Sequence, residues 1–168
     1  MDKQSLVKRS VLRSFKDAFR GIWCTVKSER NMRIHLTSAS YVLFAAFSLK
    51  LTRMEIAVLM MTIGVVISAE MLNTAIEKHC DFNQKNYCGP IRDVKDIAAG
   101  AVLMTAITAV FVGVMILWRE SLWVFLWSFV QYPVKGILLL VSLVIAWFFI
   151  FWGPLKIGDK ISQIFKKR

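Results

Sequence analysis

Two long runs without a charged residue limit what this chain can fold into more than any other feature of its sequence. One run extends from Ile97 to Trp118 and the other from Gly136 to Leu155. A helix of about 20 apolar residues crosses the hydrocarbon core of a bilayer, and each run reaches that length. Backbone amides inside lipid must bond within the protein, which favours helices. We therefore predict an all-α integral membrane protein.

The basic residues predict how the chain passes through the membrane. We expect four spans, at about residues 34–49, 54–79, 97–118 and 134–152, the last closed by Gly153-Pro154. The Lys and Arg counts are nine in residues 1–33, two in 50–53, four in 78–95, two in 119–135 and five in 156–168. Because Lys and Arg concentrate in cytoplasmic loops, this alternation predicts that both termini are cytoplasmic. We expect a multi-pass protein of the inner (cytoplasmic) membrane.

An amphipathic helix is predicted near the N-terminus, over residues 4–28. Apolar residues recur there at three- and four-residue steps, and lysines and arginines take the other positions. Such a helix is typical of the membrane interface, against anionic lipids, although it could instead pack on a soluble partner. The net charge of +11 indicates affinity for a membrane surface, and nothing here indicates nucleic-acid binding. At the ends of the first span, Arg33 and Lys50 are expected to snorkel to the interface.

A polar face interrupts the second span. The stretch AEMLNTAIEKHCD places Glu70, Asn73, Glu77 and Asp81 at positions i, i+3, i+7 and i+11, on one side of a helix. The apolar run before it, Ile56 to Ala69, is too short to cross a bilayer. The helix must continue, which puts Glu70 inside the membrane, about 10 Å from Glu77 near the surface. An ionisable residue at that depth indicates function, although a hydrogen-bonded structural carboxyl is the alternative.

Further charged residues flank this polar face. Glu29 comes just before the first span, and Lys95 and Asp96 open the third. Carboxylates at one interface with a lysine nearby are typical of sites for hard cations and phosphates. The motifs GxxxxGK[ST] and GxGxxG are absent from the sequence, so any nucleotide site is of another kind. Each residue also has a structural interpretation. Glu29 could be a solvated charge on an interfacial helix, and Asn73 could form a hydrogen bond between helices. Lys95 and Asp96 could be helix-end charges that complement the helix dipole.

Three blocks of the sequence, SERNMRIHL, EMLNTAIEKHCD and VKDIAAGAVL, resemble the signature blocks of the prokaryotic diacylglycerol kinase family, which includes undecaprenol kinases. FKDAFRGIW in the surface helix is similar too, whereas Asp17 and Cys88 depart from the family pattern. The resemblance implies a small homotrimeric kinase that uses Mg²⁺ and ATP, with three spans and active sites built between protomers. The chain then divides into a lipid-kinase core, residues 1–118, and an added segment, residues 119–168, with an interfacial stretch, the fourth span and a basic cytoplasmic tail.

The resemblance also implies a role for each matching residue. Glu70 would be the general base that takes the proton from a lipid hydroxyl. The other roles would be Mg²⁺ and ATP binding for Glu29 and Glu77, ATP binding for Lys95 and Asp96, and positioning of phosphate or substrate for Asn73. The expected depths agree, since Glu70 lies where a lipid hydroxyl can reach and Glu77 lies where ATP arrives.

An ATP-dependent lipid kinase is thus the leading hypothesis. We expect undecaprenol as the substrate, because ERNMRIH is more similar to that branch, with diacylglycerol as the alternative. Two hypotheses of other classes are a proton-coupled carrier, with Glu70 and Glu77 as a proton relay, and a non-catalytic membrane scaffold. A kinase needs Mg-ATP and a lipid alcohol, a carrier needs a gradient, and a scaffold would not depend on the Glu70 carboxylate.

Overall fold

The computed structural model describes residues 11–83 and 89–166, with residues 83 and 155–166 described as backbone only. Within that part of the chain every regular element is an α-helix. The helices are α1 (Val11–Ser28), α2 (Arg30–Ser48), α3 (Arg53–Asn83), α4 (Gly89–Leu117), α5 (Glu120–Gln131) and α6 (Pro133–Lys166). The prediction of an all-α membrane protein is confirmed.

Three of the described helices are long and apolar enough to cross a membrane. They are α3 over Arg53–Phe82, α4 over Gly89–Leu117 and α6 over Pro133–Pro154. The helix at the first expected span, α2, has 19 residues but is not among them. Its hydropathy is lower because it contains Arg30, Arg33 and several serines and threonines among its apolar residues. The four-span arrangement therefore stays a prediction.

The predicted surface helix corresponds, over its described part, to α1. Its apolar residues Val11, Leu12, Phe15 and Phe19 are 59 to 82% exposed. A row of exposed aromatic and aliphatic side chains on a helix that also carries lysines and arginines fits a position at the membrane interface. Residues 4–10 of the predicted helix, Cys88 and the last two residues of the basic tail lie outside the described residues.

A small hydrophobic core lies where α2 turns into α3. Ala46 of α2, Leu51 of the linker and Leu59 of α3 are buried together, and Val112 of α4 packs against them. The chain reverses at Lys50, which has a positive φ of 53°. Outside such a core, apolar side chains of membrane helices face lipid or other protein surfaces, so few of them need to be buried within one chain.

Side chains close the helix ends next to this core. Thr52 and Glu55 form a capping box: the Glu55 carboxylate accepts from the Thr52 amide and hydroxyl, both at 2.8 Å, and the Glu55 amide donates to the Thr52 hydroxyl at 3.3 Å. Glu55 is also ion-paired with Arg119. The Arg119 guanidinium donates to the Ile116 carbonyl in the last turn of α4, at 3.1 and 2.8 Å. The Glu55–Arg119 pair therefore ties the start of α3 to the end of α4.

The last long helix is interrupted at Gly153, which has φ 65° and ψ 166°. Its apolar part therefore ends at the Gly153-Pro154 pair. The prediction that Arg33 snorkels to the interface is wrong: this side chain is 7% exposed. Its guanidinium donates to main-chain carbonyls of α1 and of α6. An arginine whose N–H groups find acceptors inside the protein does not have to reach the interface for hydrogen bonds.

We expect Arg119→Ala to destabilise the protein by about 1 kcal/mol, because it removes a partly exposed ion pair and leaves a terminal carbonyl of α4 without its partner. The midpoint of thermal unfolding in detergent measures this. Glu120→Gln is the matched control, since Glu120 is the adjacent, exposed charge. An equal effect of the two changes would mean that the Glu55–Arg119 pair does not hold the two helices together.

Candidate active site

The polar face expected on the second span lies on α3; it is buried at Glu70 and Asn73 and becomes exposed towards Asp81. Glu70 is 1% exposed, and Asn73 and Thr74 are buried beside it. The helix itself brings these side chains together, since residues three and four apart share one face. One carboxylate oxygen of Glu70, Oε2, is buried with no hydrogen-bond partner among the described residues. Buried polar atoms are normally hydrogen-bonded, so a buried carboxylate oxygen without a partner indicates a site where a ligand binds.

Asn73 connects the buried end of this face to its outer end. Its amide nitrogen donates to Glu77 Oε1 at 3.0 Å. Its amide oxygen, Oδ1, is buried without a partner within the described part of the chain. Asn73 therefore holds the Glu77 carboxylate with one atom and offers an acceptor with the other.

Glu29 lies at the turn between α1 and α2. It is the N-cap residue of α2, with φ −102° and ψ 123°, and its side chain makes no capping bond. Its amide donates to the Thr25 carbonyl at 2.8 Å, which continues the bonding of α1 into the turn. Glu29 and Glu77 are both close enough to act electrostatically on Glu70. Glu29 from the turn, and Glu70 and Glu77 from α3, thus form a loose cluster in which the other two carboxylates lie within electrostatic range of Glu70.

The two residues that open the third span lie apart from this cluster. Lys95 is ion-paired with Asp81, one turn beyond Glu77 on α3. Asp96 pairs with Arg92 on its own helix at 3.6 Å, and its side chain is 70% exposed. The structure therefore places Glu29 and Glu77 within electrostatic range of Glu70, places Lys95 at the edge of the polar face, and leaves Asp96 on the outside of α4.

The cluster fits a hard cation that arrives with other ligands. Among the described residues, no three His, Cys, Asp or Glu side chains lie close enough together to hold a metal ion by themselves. Mg²⁺ commonly takes one or two carboxylates and completes its shell with water and phosphate oxygens. Glu29, Glu77 and the unpartnered Asn73 Oδ1 are donors of that kind.

Two side chains at the site were not predicted as site residues. The Thr74 hydroxyl donates to the Glu70 carbonyl at 2.9 Å and is buried against the same face. Lys78 Nζ lies 3.4 Å from both Cys24 Sγ and the Ser28 hydroxyl, and so ties α3 to the end of α1. The position of Lys78 directly after Glu77 was the available signal. For Thr74 the available signal was its spacing, since it lies four residues after Glu70 and so shares its helix face.

An apolar cavity of about 540 Å³ lies between α2, α3 and α4. Val66 and Ile67 line it, one turn before Glu70 on α3, and it continues to Trp118. A molecule with a long hydrocarbon tail and a polar end could place its tail here and its polar end towards Glu70.

Comparison with known proteins shows which family the chain belongs to. A family model described as prokaryotic diacylglycerol kinase matches residues 16–117, more than half of the chain. The chain belongs to the prokaryotic diacylglycerol kinase family. It is therefore an ATP-dependent lipid kinase, a membrane phosphotransferase. The match ends with α4, so α5 and α6 of this kinase lie beyond it.

Two relatives carry names that agree with this assignment. The kinase is 38% identical to an undecaprenol kinase of Bacillus subtilis over 104 residues, which are 62% of this chain and 85% of that protein. It is 40% identical to a diacylglycerol kinase of Synechocystis sp. over 108 residues, which are 64% of this chain and 62% of that protein. No solved structure matches the chain significantly. The carrier and scaffold hypotheses find no support in these comparisons.

We expect Asn73→Ala to raise the KM for ATP about tenfold, because a hydrogen bond to a charged group is lost and Glu77 is left without its anchor. Steady-state kinetics at saturating lipid measures this. Thr74→Val is the control. It keeps the size of the side chain but removes a buried hydroxyl that bonds to the main chain and not to Glu77. A rise in KM for Thr74→Val as large as that for Asn73→Ala would indicate general damage to α3 rather than loss of the Glu77 anchor.

Proposed function

We propose that this kinase transfers the γ-phosphate of ATP to the hydroxyl of undecaprenol at the cytoplasmic face of the membrane. The observation that carries the proposal is Glu70: a carboxylate on a membrane helix, 1% exposed, with one oxygen unpartnered among the described residues. A base at this depth suits a substrate whose hydroxyl stays at the membrane and cannot leave it. The apolar cavity that begins one turn away suits the tail of the same molecule.

In the proposed reaction the Glu70 carboxylate takes the proton of the lipid hydroxyl. The hydroxyl oxygen forms a bond to the γ-phosphorus, the bond from that phosphorus to the bridging oxygen breaks, and ADP leaves. Glu77 lies seven residues further along α3, about 10 Å towards the helix end. One helix therefore presents the base to the lipid and a second carboxylate to the nucleotide. Phosphoryl transfer depends mainly on positioning and on charge neutralisation, and this layout supports both.

On the nucleotide side, Glu29 and Glu77 are the residues that would hold Mg²⁺. The ion would neutralise charge on the transferred phosphate. Asn73 keeps Glu77 in place through its amide nitrogen. Lys95 is assigned to ATP binding by the family resemblance, and its position at the edge of the polar face supports the assignment. Asp96 is assigned by family resemblance alone, and its exposed side chain would have to meet the nucleotide or a neighbouring protomer outside α4.

We also propose a homotrimer with active sites shared between protomers. The family resemblance implies this assembly, and most apolar side chains of α4 and α6 are exposed in the single chain, where other protomers or lipid would cover them. The basic α1 would contact anionic lipids, and both termini would face the cytoplasm.

The choice of undecaprenol over diacylglycerol rests on similarity. The Bacillus subtilis relative is an undecaprenol kinase, and the alignment covers 85% of it. Diacylglycerol remains the second candidate because the Synechocystis relative is a diacylglycerol kinase of comparable identity. Each substrate offers one hydroxyl at the level of the lipid headgroups.

Phosphate transfer from Mg-ATP in mixed micelles, with undecaprenol and diacylglycerol offered side by side, tests the proposal. We expect the kcat/KM for undecaprenol to exceed that for diacylglycerol by about tenfold or more, since a specific pocket discriminates by at least 1 to 3 kcal/mol. The reverse preference would assign the second substrate. Transfer to neither lipid by a folded protein would remove both.

Two glutamine substitutions separate the proposed roles. We expect Glu70→Gln to lower kcat about a thousandfold while Mg-ATP still binds, because the base is lost and the nucleotide side is intact. We expect Glu77→Gln to weaken Mg-ATP binding itself, which titration of purified protein measures. Normal turnover in Glu70→Gln would remove the assignment of the general base.

A further inference from the structure

Arg33 is a buried cation that joins three helices. Its Nη1 donates to the Val26 carbonyl at 3.0 Å and to the Lys27 carbonyl at 3.2 Å, in the last turn of α1. Its Nε donates to the Ile150 carbonyl of α6 at 3.0 Å. Carbonyls at a helix end lack partners within the helix and attract a cation. One guanidinium on α2 therefore closes the end of α1 and the end of the apolar part of α6.

The Gly153-Pro154 pair forms the α6 side of this contact. In a continuous helix the Ile150 carbonyl would accept from the amide of residue 154, but proline has no N–H to donate. The carbonyl is therefore available to Arg33. Gly153 provides the room, because a Cβ at this position would lie 3.3 Å from Arg33 Cζ and Nη1. Its φ of 65° is also a conformation that glycine adopts at little cost.

The residues of this contact lie on both sides of Glu29 in the sequence. Val26 and Lys27 come just before it, and Arg33 comes one turn after it on α2. Arg30 directly follows Glu29, and its guanidinium lies 5.9 Å from the ring centroid of Phe151 on α6. The Glu29 side chain itself makes no capping bond that would fix the turn. The end of α6 therefore contacts, through Arg33 and Arg30, the turn that carries Glu29.

We propose that α6 is a positioning element of the kinase active site. Its Gly153-Pro154 end holds Arg33, and Arg33 holds the turn that presents Glu29 to the nucleotide. The inference rests on the proposed assignment of Glu29 to Mg-ATP. Arg33 and Gly153 are positioning residues, since they act through Glu29 and not on the reacting atoms. Glu70 is carried by α3, so the lipid side of the reaction is not expected to depend on this contact.

Gly153→Ala in the full-length protein tests the inference. The added methyl and the unfavourable φ push the Arg33 guanidinium away from Ile150. We expect the Kd for Mg-ATP, measured by titration of purified protein, to rise about tenfold, because a small displacement of a positioning group is enough to cost that much. The KM for the lipid is expected to stay unchanged. Gly64→Ala on α3 is the matched control, since a Cβ there meets nothing within 4 Å.

Arg33→Lys gives an independent variant that keeps the charge. A lysine cannot reproduce the planar fork that reaches carbonyls of two helices. We expect the same rise in the Kd for Mg-ATP, and a double variant with Gly153→Ala that binds no worse than either single one, because both break the same contact. Additive effects would contradict the proposal. If Gly153→Ala does not fold, Phe151→Leu is measured instead. It removes the ring beside Arg30 and leaves the glycine at the position with φ 65°. A smaller rise in the Kd for Mg-ATP is expected.

The results separate this inference from the proposed function. Glu29→Gln is measured alongside and is expected to raise the Kd for Mg-ATP. If it does, an unchanged Kd in folded Gly153→Ala overturns the positioning role of α6, whatever the substrate is. If Glu29→Gln also leaves the Kd unchanged, the assignment of Glu29 to Mg-ATP is overturned, and the inference that rests on it is overturned too. An equal loss of affinity for ATP and for lipid also overturns it, because that pattern indicates general loosening. A wild-type protein that binds Mg-ATP but phosphorylates neither lipid would instead overturn the substrate assignment, and the comparison of Kd values would still stand.

Discussion

Every main-chain amide and carbonyl inside a bilayer needs a partner from the protein, because lipid offers none. Helices meet this requirement along their length but not at their ends. Two arginines supply the missing donors in this kinase: Arg119 at the end of α4, and Arg33 at the ends of α1 and of the apolar part of α6. The same side chains bring helices together, so the arrangement of the bundle follows from how its helix ends are satisfied.

The site follows from a related constraint. A charged group inside a membrane is tolerated when it is buried in protein, and α3 carries Glu70 at such a position. The same helix continues to Glu77 and Asp81, so its repeat fixes the spacing between Glu70 and Glu77. In the proposed reaction, this one helix would align two substrates that arrive from different phases, one dissolved in lipid and the other in water. The other proposed site residues, Glu29 at the start of α2 and Lys95 and Asp96 on α4, would come from other parts of the chain.

This difference explains how much the sequence could predict. The polar face of α3 was predictable because residues three and four apart on a helix are neighbours whatever surrounds them. The environment of Arg33 was not, because its acceptors Val26 and Ile150 are main-chain atoms, and one of them is 117 residues away. The outward position of Asp96 likewise depends on how α4 is rotated against α3, which no local pattern encodes. Glu29 could be placed at the same interface because it comes just before the first span, but nothing within SERNMRIHL specifies that it approaches Glu70.

The contact between Arg33 and α6 is made to a main-chain oxygen, so it recognises a shape and not a side chain. To make this contact, a helix needs a glycine and a proline placed so that a main-chain carbonyl one turn earlier faces Arg33. Most other positions of α6 could then drift through evolution among apolar residues without losing the connection. The added helix can thus diverge quickly in sequence while the core that receives it stays constrained by its chemistry. Relatives with such a helix would be recognised by this dipeptide and its arginine better than by overall similarity.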